Sequence, residues 1–250
     1  MIRALLWDVD GTLAETERDG HLVAFNRAFE AVGVPWRWSE AQYGELLAVA
    51  GGYERLMHDL RHRAHLPGKP AERAALAREL HRVKDVIYAD IVRRGELPLR
   101  AGVVELIAEC HHAGLPMGIV TTTSHANVAA LLARQLGRGW RGGFATVMCA
   151  EQAPLKKPDP QVYLRALAAL QLPAAEAVAL EDSPAGIEAA RAAGVPVIVT
   201  RSHFFPDCAA DDALAVGPSL GHGAGWQPAA ALPDQRIGLE QIRRWHTQRA

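Results

Sequence analysis

The chain predicts an α/β fold: a doubly wound, Rossmann-like parallel sheet with an all-helical cap inserted after its first strand. Three observations predict it. Short continuous apolar runs recur along the chain, helix-periodic segments separate them, and one block, 16–94, is helix-periodic with no strand in it. The first strand is Ile2-Arg3-Ala4-Leu5-Leu6-Trp7, a run suited to burial on both faces. Apolar groups then recur at three- and four-residue spacings from His21 to Phe29. Further helices are predicted over 40–47, 52–63 and 71–91, broken at Gly51-Gly52 and at 66–70.

Beyond Pro98 strands and helices alternate. A helix over 103–113 that Gly114 ends precedes a strand over 117–121, a helix over 127–136 and a short strand over 146–148. A helix over 161–170, a strand over 177–180, a helix over 184–193 closed by Gly194 and a strand over 195–200 follow. The stretch 217–233 is Gly/Pro/Ala-rich and reads as loop, and 237–248 as a last short helix. The predicted division is a core domain of 1–15 and 93–250 and a cap domain of 16–92.

Composition narrows the function classes. In 250 residues, 27 basic side chains stand against 28 acidic ones, which argues against nucleic acid or an anionic membrane surface as partner. Three widely spaced cysteines, Cys110, Cys149 and Cys208, form neither a disulfide framework nor a CxxC site, which favours a reducing, cytoplasmic location. No apolar stretch reaches membrane-spanning length, and the N-terminal run is too short for a signal peptide. A cytoplasmic monomer is expected.

In open α/β sheets ligands sit beyond the carboxyl ends of the strands, and four such ends carry reactive or anion-seeking groups. Asp8-Val9-Asp10-Gly11-Thr12 follows the first strand. Its two acids converge on one ligand only if the chain turns after Asp8, which Gly11 and Thr12 permit. Like charges at close range need a cation or a proton between them. Thr121-Thr122-Thr123-Ser124 offers hydroxyls and backbone N–H groups ahead of a helix. Lys156-Lys157-Pro158 brings a cation, and Glu181-Asp182-Ser183 brings two more acids with Ser183 as N-cap and Pro184 at N1. Singly, these are also what an acidic loop, a capping cluster, a solvated lysine and a helix start look like. Together, carboxylates that need a cation and hydroxyls with a lysine that suit an anion describe a divalent metal and phosphate site.

The order DxDGT, hydrophobic strand–Thr, Lys-Pro, Glu-Asp-Ser-x-x-Gly-Ile resembles the haloacid dehalogenase-like phosphotransferases. The likeness frames about 1–14 and 93–200, and the inserted helices match that family's small helical cap. Within it, 8–17 with Ala24-Phe25-Asn26, Trp36-Arg37-Trp38, Tyr43-x-x-Leu46-Leu47 and Gly51-Gly52-x-Glu54-Arg55 resembles the CbbY-type proteins. Those are phosphatases of xylulose 1,5-bisphosphate, an inhibitor of the Calvin-cycle enzyme Rubisco. The resemblance implies a Mg²⁺-dependent sugar phosphatase. Asp8 would attack phosphorus and form an aspartyl-phosphate, and Asp10 would act as acid and then base. Mg²⁺ would be held by Asp8, the main-chain carbonyl of Asp10 and Asp182, with Glu181 close by. Thr121, with Thr122 beside it, and Lys157 would bind the transferring phosphoryl group, the Lys-Pro pairing favouring Lys157 over Lys156. In the cap, Glu17 would accept sugar hydroxyls, Tyr43 would add a hydrogen bond or a stacking face, and Arg55 would grip a second phosphate. Arg55 also reads as a solvated helix position, His21 as a helix-surface histidine, and Trp36 and Trp38 as packing. The rival readings are a phosphomutase of the β-phosphoglucomutase type and a non-catalytic sugar-phosphate-binding regulator. A dehalogenase is disfavoured, because it has no use for Asp10.

Overall fold

The computed structural model describes residues 1–63, 69–208 and 210–248. The chain divides into two compact units, Met1–Glu15 with Pro98–Ala250, and Thr16–Leu97. In the first unit six strands form one parallel sheet: β1 (Ala4–Trp7), β2 (Met117–Val120), β3 (Thr146–Met148), β4 (Ala177–Glu181), β5 (Val197–Thr200) and β6 (Ala215–Gly217). Their order is β3-β2-β1-β4-β5-β6, with Leu6 beside Gly118 on one flank and beside Ala179 on the other. The doubly wound α/β core is therefore as the sequence predicts.

Burial explains why these runs are strands. All four residues of β1 are fully buried. Ala4 and Leu6 join Ala177, Ala179, Val197 and Val199 in a core beneath α7 (Gln161–Leu170) and α8 (Pro184–Ala192). The alternate residues Leu5, Trp7, Val178, Leu180 and Ile198 are buried as fully, as a sheet covered on both faces requires. The other α-helices among this unit's described residues are α5 (Val103–His112), α6 (His125–Leu136) and α9 (Leu239–Gln248), with short 3-10 turns at Trp140–Gly143 and Ala174–Glu176. Sequence reading places α6 two residues late. Ser124 caps it by accepting the Asn127 N–H at 3.3 Å, so the helix starts at His125. The structure also adds β6, whose first residues the sequence leaves unassigned and whose last, Gly217, it gives to the loop.

The described residues of the second unit form helices and no strand: a π-helical turn at Glu17–Leu22, then α1 (Val23–Val32), α2 (Glu40–Leu46), α3 (Gly52–His62) and α4 (Pro70–Arg94). Pro70 opens α4 at its N-terminus; the rest of the break expected at 66–70 lies outside the described residues but for Lys69. A capping box between Ser39 and Gln42 starts α2. Phe25, Phe29, Trp38 and Tyr43 form an aromatic cluster in which Phe25 lies 4.8 Å and Phe29 4.9 Å from Trp38. Trp36 and Trp38 are packing residues, as expected: Arg63 covers Trp36 at 4.8 Å and Asp59 accepts the Trp38 indole N–H at 2.7 Å. His21 is a correction. It is buried, and it stacks on Tyr88 of α4 at 4.2 Å, because α4 covers the face that looks like surface in isolation. Among the described residues no helix is long and apolar enough to cross a membrane.

Candidate active site

The strand order reverses direction between β1 and β4, so the crevice beyond their carboxyl ends is where a sheet of this topology holds a ligand. Both ends are acidic. Asp8 follows β1 directly and its N–H bonds the Leu180 carbonyl at 3.1 Å, so it lies beside the end of β4. There Glu181 ends the strand and Asp182 follows. The chain does turn after Asp8: Leu13 N–H reaches back to the Val9 carbonyl at 2.9 Å, and Gly11 takes a φ of +87°. A side chain at Gly11 would also put its Cβ 2.1 Å from Asp182 Oδ2, so the glycine is required twice over.

Three carboxylates converge. Oxygens of Asp8, Glu181 and Asp182 lie within 4.8 Å of one another, all buried. Lys157 enters among them, with Nζ 2.6 Å from Asp8 Oδ1, 2.6 Å from Glu181 Oε1 and 2.9 Å from the Val120 carbonyl. Its neighbour Lys156 is half-buried. Further contacts orient the two β4 acids. Tyr163 donates its hydroxyl to Glu181 Oε1, while Thr12 donates to Asp182 Oδ1 at 3.3 Å. Glu181 Oε2 is buried without a partner, in a space kept open by Gly186, whose Cβ would stand 1.9 Å from it. Asp10 is half-buried and outside the three-carboxylate cluster, but its charge is felt at Asp8.

Electrostatics make this a strained set without a cation. Burial, first, and then the charges of Glu181, Asp182 and Asp10 push the Asp8 carboxyl well above its usual range, against the pull of Lys157. Burial pushes Asp182 up to about 8. Lys157, lodged between two carboxylates, is held above its ordinary value by Asp8 and Glu181 despite its burial. An all-oxygen donor set with an unsatisfied buried carboxylate oxygen and one lysine among three acids fits a hard divalent cation.

A pH dependence follows. A carboxyl whose folded value exceeds its unfolded value binds its proton more tightly when folded. Its contribution is complete below about pH 4 and is lost as pH rises through about 8. Metal-free protein is therefore expected to melt lower at pH 8 than at pH 5.5, with millimolar Mg²⁺ narrowing the gap by binding the ionised acids. Thermal melts at both pH values check it; the same melting temperature in all four conditions would contradict it.

Thr121 follows β2, is fully buried, and accepts the Thr123 N–H at 3.2 Å; Thr122 is half-buried beside it. The Val120 carbonyl that Lys157 binds immediately precedes Thr121, which brings the second and third motifs together. In the helical unit the three residues singled out from the sequence also meet. Tyr43 donates to Glu17 at 2.5 Å, Arg55 donates to the Tyr43 hydroxyl at 2.7 Å, and Arg55 lies 3.6 Å from Glu17. Arg55 is buried, so it is not a solvated helix position.

Sequence reasoning passes over Tyr163, Ser202 and Arg100. Tyr163 hides as an apolar position of an amphipathic helix. Ser202, whose hydroxyl lowers the Asp182 carboxyl against the effect of burial, stands two residues after β5, and inspecting that fifth strand end would have found it. Nothing local marks Arg100.

Comparison with known proteins places the chain in a family. The model of the haloacid dehalogenase-like hydrolase family matches residues 2–194. The CbbY protein of Cupriavidus necator is 44% identical over 98% of this chain and 97% of its own length. That of Rhodobacter capsulatus is 43% identical over 81% and 87%. The crystal structure of CbbY from Rhodobacter sphaeroides with phosphate superposes with a TM-score of 0.83 at 36% identity, covering 97% of this chain and all of that one. A point mutant of the Rhodobacter sphaeroides protein, in complex with xylulose 1,5-bisphosphate, gives 0.81 at 39% identity over 90% and 97%.

Proposed function

Since the chain belongs to the haloacid dehalogenase-like hydrolase family and is an enzyme, we propose that it is a Mg²⁺-dependent phosphatase of a small sugar phosphate, with xylulose 1,5-bisphosphate as the favoured substrate and xylulose 5-phosphate as product. The observation that carries this reading is the buried Asp8–Lys157–Glu181–Asp182 cluster at the point where the strand order reverses. The sugar bisphosphate bound by the 39% identical relative points to the substrate.

Asp8, bonded to the lysine and gathered with the β4 acids, acts as nucleophile: its carboxylate oxygen attacks phosphorus and the bond from phosphorus to the sugar oxygen breaks. Asp10 gives its proton to that leaving oxygen. It then takes a proton from the water that attacks the aspartyl-phosphate, which releases phosphate and restores Asp8. Lys157 and Thr121 bind the oxygens of the transferring group, and the lysine offsets its charge. Asp8, Asp182, Glu181 and the Asp10 carbonyl would hold Mg²⁺, which when bound stabilises charge on the phosphoryl oxygens. Calcium is a poor substitute because its coordination is looser. Unit 1 serves as the catalytic core and the helical unit as a cap whose Glu17, Tyr43 and Arg55 select the sugar. The buried free thiols suit a cytoplasmic location.

Arg55→Ala is expected to lower kcat/KM for bisphosphates roughly 10- to 100-fold, the value of a charged hydrogen bond, with much smaller losses on monophosphates. Equal losses on both would remove the second-phosphate role. The reading as a whole is tested by a phosphate-release screen over pentose and hexose mono- and bisphosphates with Mg²⁺. Stoichiometric release, fastest from xylulose 1,5-bisphosphate, is expected. An isomerised sugar phosphate without net phosphate release would instead identify a phosphomutase, and ligand binding without any reaction a regulator.

A further inference from the structure

We infer that Arg100 is a positioning residue for hydrolysis, one guanidinium that fixes the turn carrying Asp8 and Asp10 and thereby where that turn meets Asp182. The inference rests on the phosphatase reading above. Arg100 lies between the chain's return to the core unit at Pro98 and the start of α5. Its Nη1 donates to the Gly11 carbonyl and, at 3.2 Å each, to the carbonyl and hydroxyl oxygens of Thr200. Its Nη2 donates to the Arg201 carbonyl and, at 3.0 Å, to that of Pro218. Nε stands 3.3 Å from the Glu15 carboxylate, whose other oxygen accepts the His203 N–H at 3.2 Å. The backbone adds a bond from Arg100 N–H to the Leu13 carbonyl at 2.8 Å.

Three strand-end loops thus meet at one planar fork: those after β1, β5 and β6. The first carries Asp8 and Asp10. The second carries Ser202, whose hydroxyl favours the ionised Asp182 carboxylate. Gly11, whose carbonyl the fork holds, is the residue whose α-carbon faces Asp182 too closely to accept a side chain, and Thr12 beside it donates to the same carboxylate. Moving the Gly11 carbonyl therefore moves the gap across which Asp8 and Asp182 share a ligand. Only an arginine reaches such a spread of acceptors, because its five N–H groups radiate from three atoms, whereas lysine offers three from one.

Arg100→Lys keeps the charge and loses the fork, and Glu15→Gln removes the ion pair while keeping the side chain's size. Wild type and both variants are compared in hydrolysis of p-nitrophenyl phosphate and, without substrate, in Mn²⁺ binding by EPR. Arg100→Lys is expected to lose roughly 10- to 100-fold in kcat and to bind Mn²⁺ correspondingly more weakly, the scale set by partners that orient metal ligands, with KM near wild type. Glu15→Gln is expected to shift both quantities the same way by less. A lysine variant that melts lower but matches wild type in kcat and Mn²⁺ affinity would overturn the inference and leave a structural arginine. If that variant does not fold, unchanged kcat and Mn²⁺ affinity in Glu15→Gln overturns it equally. Wild type inactive on every phosphomonoester would instead refute the phosphatase reading, and the Mn²⁺ comparison would still report on Arg100.

Discussion

Asp8→Asn is expected to abolish turnover, by roughly 10⁴-fold or more, the scale on which removing a covalent nucleophile acts. The amide matches the carboxylate in shape but cannot form an acyl phosphate. Its effect on stability runs the other way. Asp8 is one of three buried acids, and burial and its neighbours already disfavour its charge. A neutral side chain removes that repulsion, while Lys157 keeps Glu181 at 2.6 Å. The metal-free variant should therefore melt at or above the wild-type temperature, and a catalytic loss without a stability loss separates a nucleophile from a scaffold residue. Steady-state kinetics and thermal melts of one preparation check both halves. Turnover within tenfold of wild type would remove Asp8 from the chemistry.

Lys157→Met carries the second large effect. The amine binds Asp8, Glu181 and the Val120 carbonyl at once, so its removal takes away a preorganised cation at the site of charge development and the strut between two acids. A loss of roughly 10²–10³-fold in kcat is expected, comparable with deleting one donor from an oxyanion site. Breaking a buried ion pair costs about 3–5 kcal/mol when the remaining charge has no escape. Asp8, already inclined to hold a proton, provides one, so the stability loss should be smaller at pH 5.5 than at pH 8. Lys156→Met, which leaves the Lys157 amine in place, is the control and should keep wild-type kcat. Equal losses in the two variants would mean that the lysine pair acts through general charge.

What could be read from the sequence follows the range of the interactions. β1, β2, β4 and β5 are legible because strands buried on both faces are unbroken apolar runs. β6 is not: Ala215-Val216-Gly217 is three residues long and ends in glycine, and its place at the sheet edge depends on pairing with Val199 and its neighbours. The site's four strand-end motifs are legible for a topological reason, since a parallel sheet gathers its carboxyl ends on one edge. The orientation of those residues is not. Tyr163 meets Glu181 from 18 residues away, and Arg100 meets Gly11 from 89. No periodicity records such partners. Glu17, Tyr43 and Arg55 are each suspect singly, yet their joining across 26 and 12 residues depends on how the helical unit packs. His21 shows the opposite failure, because its burial against Tyr88 is decided by α4, a helix far along the chain.

The central claim is that Asp8 carries the phosphoryl group between the sugar and water. Acid-quenching the enzyme during turnover of its fastest sugar phosphate, followed by peptide mapping, tests it most directly. The account predicts one phosphoryl group on the peptide that contains Asp8, formed as phosphate release begins and absent from Asp8→Asn. Phosphate release with no labelled peptide at the earliest quench times, or with the label on any other residue, would contradict it.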